Sequence, residues 1–120
     1  MRGKQYSRSV GTEGERLGEA YLTHQGYRIL DRNVRSPFGE IDLVAAQGDV
    51  LVFVEIKTRS NLAFGFPEEA VNYSKRQKLE RLASWYLARH RKRNQAVRFD
   101  VLSILLQGTK SEIRLIQDTS

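Results

Sequence analysis

The stretch GEIDLVAAQGDVLVFVEIKTR, residues 39–59, is the most apolar part of this chain, yet it carries Glu40, Asp42, Glu55 and Lys57. Apolar runs flank Gly48-Asp49, a dipeptide suited to a tight primed turn, so the stretch reads as a β-hairpin. With Gly48 and Asp49 at the turn, Gln47 pairs with Val50 and the register places Asp42 opposite Glu55 and Glu40 opposite Lys57. Side chains alternate between faces along a strand. The four charged residues therefore share one face with Val44, Ala46, Leu51 and Phe53, while Ile41, Leu43, Ala45, Val52, Val54 and Ile56 share the other. Two largely apolar faces predict a central hairpin covered on both sides, with a polar cleft at its charged end.

Directly opposed side chains have Cβ atoms roughly 5 Å apart. Two half-buried carboxylates at that distance must take up a proton, gain a cation or cost stability. Lys57 is one available cation; a divalent metal is the other. Mg²⁺ takes hard oxygen ligands and often only one or two protein carboxylates, a set that Asp42, Glu55 and the Ile56 carbonyl can supply. Lys57 would then lie where it can orient an attacking water or stabilise charge developing on a phosphate. The alternative on spacing alone is a salt-bridged hairpin in which Glu40 and Lys57 pair across the strands.

The rest of the chain surrounds this hairpin with a small α/β domain. Thr12-Glu13-Gly14-Glu15 has the form of a helix capping box, and Leu17, Tyr21 and Leu22 follow at helical spacing up to Gly26, predicting a helix over 12–25 behind a basic tail at 1–11. Residues 27–35 read as an edge strand ending at the turn cluster Ser36-Pro37-Phe38-Gly39. Residues 58–74 read as a loop with a short element at 68–71. A second capping box, from Ser74 to Gln77, opens an amphipathic helix over 75–90, with Leu79, Leu82, Ala83, Tyr86 and Leu87 on its apolar face. Strands at 97–106 and 112–117 complete the order α-β-β-β-α-β-β in a single domain at 12–118, a mixed five-stranded sheet flanked by helices.

Composition narrows the chemistry. The 120 residues include no cysteine and only two histidines, excluding disulfides, thiolate nucleophiles, zinc ribbons and iron–sulfur sites, so any metal is held by oxygen. Neither a signal-peptide segment nor an apolar run of membrane-spanning length is evident, and the expectation is a soluble, cytoplasmic protein. The net charge is +6, and the window 75–98 alone holds nine Lys or Arg against Glu80. Such segregated charge points to a polyanion, nucleic acid above all, with a solvated basic helix as the plain alternative.

Asp42, twelve intervening residues and Glu55-Ile56-Lys57 resemble the D…(D/E)-X-K signature of the PD-(D/E)XK nuclease superfamily, with Ile41-Asp42 standing where the superfamily has Pro-Asp. The wider pattern is similar to the YraN-like bacterial family over residues 11–105. It includes Gly14-Glu15, Gly26-Tyr27-Arg28-Ile29-Leu30, Arg32-Asn33, Gly39-Glu40-Ile41-Asp42-Leu43, Val52-Phe53-Val54-Glu55-Ile56-Lys57-Thr58-Arg59, Phe64-Gly65, Glu69-Ala70-Val71 and Arg98-Phe99-Asp100-Val101. That family is similar in fold to archaeal Holliday-junction resolvases. The resemblance implies a restriction-endonuclease-like core and Mg²⁺- or Mn²⁺-dependent hydrolysis of DNA phosphodiester bonds, on branched or structured duplexes and as a homodimer. It assigns Asp42 and Glu55 as metal ligands and Lys57 as the active-site lysine. Resolvase relatives also place a glutamate on the first helix, matched by Glu15, which is equally explained as the acid of the capping box.

Lys75 opens the second helix, where relatives often place a polar or basic side chain toward the scissile phosphate and free backbone N–H groups attract anions; the plain alternative is an exposed lysine. Arg59, Asn61, Arg76 and Lys78 are further candidates for nucleic-acid contacts. Arg98 and Asp100 read as structural partners, pairing with each other's neighbours or with Lys75. Trp85 and Tyr86 read as core or dimer-interface residues. The alternative function is a non-catalytic nucleic-acid-binding or adaptor protein on a nuclease-like scaffold.

Overall fold

The computed structural model describes residues 2–60, 73–91 and 94–117, and the side chains of 13–60, 76–91 and 94–117. The expected element order is observed: α1 (Arg2–His24), β1 (Arg28–Ser36), β2 (Gly39–Gln47), β3 (Val50–Arg59), α2 (Tyr73–Arg89), β4 (Ala96–Gln107) and β5 (Lys110–Ile116). The strands form one sheet in the order β1-β2-β3-β4-β5. β3 and β4 are parallel and every other pair is antiparallel. A parallel pair needs a long crossover, and α2 lies on it. The short element expected at 68–71, and Asn61, lie outside the described residues.

The hairpin register is the one derived from the turn, with Gln47↔Val50 through Leu43↔Val54. Gly48 has φ +59 while Asp49 stays outside the left-handed region, the φ pattern of a type II′ turn. α1 ends at Gly26 (φ +93), where the N–H of Tyr27 returns to the Leu22 carbonyl at 3.0 Å and that of Gly26 to the Thr23 carbonyl at 3.1 Å, a Schellman cap.

Two apolar clusters cover the two sheet faces. On one, Leu22 and Tyr27 pack with Leu43, Ala45, Val52, Val54, Leu102 and Ile104. On the other, Leu79, Leu82, Ala83 and Tyr86 of α2 pack with Val44, Leu51, Phe53 and Phe99, and the Phe53 and Tyr86 rings meet edge to face at 5.5 Å. The central hairpin is therefore covered on both sides, as expected.

Two expectations need correction. α1 begins at Arg2, so residues 2–11 continue the helix and Thr12 is not its cap. Gly3 and Gly11 each cost a helix about 1 kcal/mol relative to alanine without terminating it, and no proline intervenes. Second, Ile41 packs in the α2-side cluster with Val44, not with Leu43 and Ala45. Strict alternation fails at Asp42, and the site is built on that failure.

Candidate active site

The β2–β3 ladder ends at Leu43↔Val54. One rung further, where Asp42 and Glu55 would have paired, the strands part and the Asp42 carboxylate enters the gap. Its Oδ2 accepts the Ile56 backbone N–H at 2.7 Å, a bond the register would have carried to residue 41 of the neighbouring strand. The N–H and C=O of a strand residue point to the same side, so the Ile56 carbonyl is directed toward the same gap.

Glu55 is largely buried, and its Oε1 lies 2.9 Å from Lys57 Nζ. Its Oε2 is buried and receives no hydrogen bond. Burial raises the Asp42 carboxyl above the ordinary aspartate range; the Ile56 N–H opposes this, Glu55 and then Glu15 add to it, and Lys57 opposes it last. Phe53 faces α2, so by alternation Glu55, Lys57 and Arg59 leave β3 on the α2 side.

α1 brings Glu15 to this end of β3 by close backbone contact. A Cβ on Gly14 would collide with the Thr58 side chain, and one on Gly18 would stand 2.8 Å from Leu102 Cδ2. At Gly14 the approach requires glycine, because Thr58 presents three atoms of a short branched side chain to the added Cβ. Glu15 is half-buried in the helix interior, which removes its reading as a capping-box acid. Glu19, one turn on, is committed to Arg32, whose Nε donates to both carboxylate oxygens at 2.9 Å. Glu40 does not pair with Lys57. The strands part before reaching it, and it meets Arg35 on β1, its register partner, at 3.1 Å on the exposed edge.

Among the described residues no group of three or more Asp, Glu, His or Cys is close enough to cage a metal ion, so Glu15 is not gathered with Asp42 and Glu55 into one ligand set. Glu15 acts on Asp42 through its charge. Two carboxylates and a carbonyl still fit Mg²⁺ or Mn²⁺, since Mg²⁺ completes its shell with waters and phosphate oxygens.

The basic residues distribute unevenly. Lys78 is exposed, Arg76 is half-buried, and Arg59 is half-buried with Nη1 donating to the Thr58 carbonyl at 3.2 Å. Lys75 lies in the first turn of α2; its side chain is outside the described set. Exposed Arg81, Arg89 and Arg91 extend the basic surface, and Arg89 stacks on the Trp85 ring at 4.9 Å. Trp85 is half-buried against the core and Tyr86 is buried, the core role expected of them. The Tyr86 hydroxyl donates to Asp31 Oδ2 at 3.3 Å, and burial followed by that carboxylate's charge pushes it up to about 12.

On β4, Arg98 and Asp100 are structural, as expected, but they pair with each other. Arg98 Nε reaches Asp100 Oδ1 and Nη2 reaches Oδ2, both at 2.9 Å, and the Tyr27 hydroxyl donates to Oδ2 at 2.8 Å. Gln47 accepts from Arg98, and Gln117 donates to Tyr27. The sequence holds a local signal for Arg98 and Asp100 but none for Tyr27, Gln47 and Gln117, which join them from segments remote along the chain.

The family model described as "Uncharacterised protein family UPF0102" matches residues 14–104. A UPF0102 protein of Rhodococcus opacus is 45% identical over 111 residues, 92% of this chain and 94% of the relative. One from Syntrophotalea carbinolica is 44% identical over 105 residues, 88% and 85% of the two chains, and one from Thermodesulfovibrio yellowstonii is 48% identical over 95, covering 79% and 84%. Among solved structures, Archaeoglobus fulgidus Hjc, a Holliday junction resolvase, superposes with a TM-score of 0.53 at 21% identity, over 86% of this chain and 72% of that one. Matched along most of its length in sequence, and sharing its fold with an archaeal Holliday junction resolvase, the chain belongs to the UPF0102, YraN-like family.

Proposed function

We propose that the protein is a metal-dependent endonuclease that hydrolyses DNA phosphodiester bonds, with branched or otherwise structured duplexes as its substrates. One observation carries this reading: Asp42 and Glu55, both largely buried, come together with Lys57 where β2 and β3 part, and burial and neighbouring carboxylates disfavour the Asp42 charge. Lys57 offsets part of the cost of this arrangement through Glu55, and a further cation beside Asp42 would offset the rest. Mg²⁺ or Mn²⁺ would be held by Asp42, Glu55 and the Ile56 carbonyl, and would supply Lewis-acid stabilisation of a phosphoryl oxygen and a more acidic water.

The protein's own groups supply the remainder. Lys57, held by Glu55, presents a positive charge for the oxygens that gain charge as the phosphate is attacked. Glu15 adds negative potential that draws a cation toward Asp42. The α2 residues Lys75, Arg76 and Lys78, with Arg59 at the end of β3, suit phosphate neutralisation along a duplex. The likeness to a structure titled as a Holliday junction resolvase supports DNA as substrate.

The test is a panel of linear, flapped and four-way DNA incubated with Mg²⁺ or Mn²⁺. Wild type is expected to cleave, and Asp42→Ala and Lys57→Ala to lose at least ~10²-fold in rate. No metal-dependent cleavage on any substrate overturns the reading. The exposed basic surface of Lys78, Arg81 and Arg91 supports a second one, a non-catalytic nucleic-acid-binding protein. It requires salt-sensitive binding that survives Asp42→Ala and weakens on neutralising that surface.

A further inference from the structure

β1 and β2 pair antiparallel with one register from Asp31↔Val44 to Ser36↔Gly39, and within that run one rung is skipped. Arg32↔Leu43 and Val34↔Ile41 are paired; between them Asn33 and Asp42 are not. Asn33 has φ +49, a left-handed conformation in the middle of a strand.

Both strands reverse their faces at that rung. On β1, Arg32 faces α1 through its ion pair with Glu19, whereas Val34 packs with the α2-side cluster. On β2, Leu43 belongs to the α1-side cluster and Ile41 to the α2-side cluster. Residues two apart on a regular strand share a face, and here both pairs break that rule together. A side chain at the point of reversal projects along the sheet, not above or below it. Asp42 does so, reaching across to Ile56 of β3.

We propose that Asn33 is a positioning residue for Asp42: its left-handed backbone turns the β1–β2 ladder over at one rung and so directs the Asp42 carboxylate into the gap beside Ile56. Asparagine suits the position because it and aspartate tolerate this conformation better than other residues with a Cβ, and β-branched residues tolerate it worst. On a regular β1, Ile41 would fall on the α1 side with Leu43, and Asp42 would stand over the α2 face without the Ile56 bond.

The inference deepens the proposed nuclease site and rests on that reading for its importance, but its test uses the metal-free protein and no DNA. Amide hydrogen exchange at Ile56 is compared with that at Val54, the last ladder residue of β3, in wild type, Asn33→Gly and Asn33→Val. Asn33→Gly keeps the backbone conformation and is expected to retain wild-type protection at Ile56. Asn33→Val is expected to speed exchange at Ile56 by about tenfold or more relative to Val54, a local change that uniform destabilisation would not produce. Should Asn33→Val not fold, Asn33→Ala is read in the same way. Unchanged Ile56 protection in the folded Val or Ala variant, or loss of protection in Asn33→Gly, overturns the proposal. A protein that passes this test and cleaves no DNA would retain the positioning role and lose the nuclease reading.

Discussion

Asp42 and Asp100 lie on the two strands that flank β3, and both carboxylates are withdrawn from solvent, yet their surroundings differ in kind. Asp100 receives two bonds from the Arg98 fork and one from Tyr27, and Gln47 and Gln117 complete the donors and acceptors around them. Hydrogen bonding to Asp100 raises the Arg98 guanidinium still further above its ordinary range. Asp42 receives one backbone N–H and faces two other carboxylates, Glu55 and Glu15. A buried charge whose partners are all in place holds a fold together. One surrounded by like charge is suited to taking up a cation.

The sharpest way to break this contrast is to damage the satisfied cluster. Asp100→Ala leaves Arg98 without its partner and is expected to cost about 3–5 kcal/mol in urea denaturation, whereas Asp42→Ala costs far less. Equal losses would mean that Asp42 is a structural group as well. At the Asp42 site, Gly14→Ala forces a methyl group into Thr58 and should cost about 1–3 kcal/mol while pushing Glu15 away from the site. A thermal melt checks the first part, and a weakened Mn²⁺ titration in the folded variant checks the second.

The smallest effect has the opposite sign. Because Asp42 is raised in the folded protein, no penalty exists below its unfolded value near 3.8, where both states hold the proton. As pH rises through the raised folded value, the native state must release a proton it binds more tightly, and stability falls. The penalty is then complete at neutral pH. Asp42→Asn is therefore expected to melt above the metal-free wild type at pH 7 to 8, with the difference shrinking toward pH 4, and added Mg²⁺ should raise the wild-type melting temperature only. A melting difference independent of pH would contradict the assigned burial of Asp42.

Much of this was legible in the sequence because it depended on neighbours along the chain. Gly48-Asp49 set the hairpin register, Gly26 ended α1, and the spacing from Leu79 to Leu87 marked the buried face of α2. The register in turn brought Asp42, Glu55 and Lys57 to one end of two strands. The capping box at Thr12 misled because a good cap sequence stops nothing when the preceding residues also accept a helix.

What only the tertiary structure decided were contacts between segments remote in sequence. Glu40 lost Lys57 to the parting of β2 and β3 and turned to Arg35 on the neighbouring strand. Tyr27 reached Asp100 across a sequence separation of 73 residues, and Gln117 reached Tyr27 across 90. Asn33, on a different strand, broke the alternation that the hairpin pattern predicted for Ile41 and Asp42. Local pattern specifies which residues share a strand or helix face, because backbone geometry is periodic. Whether that period holds at a given rung depends on the strand beside it, and residue order alone does not carry that information.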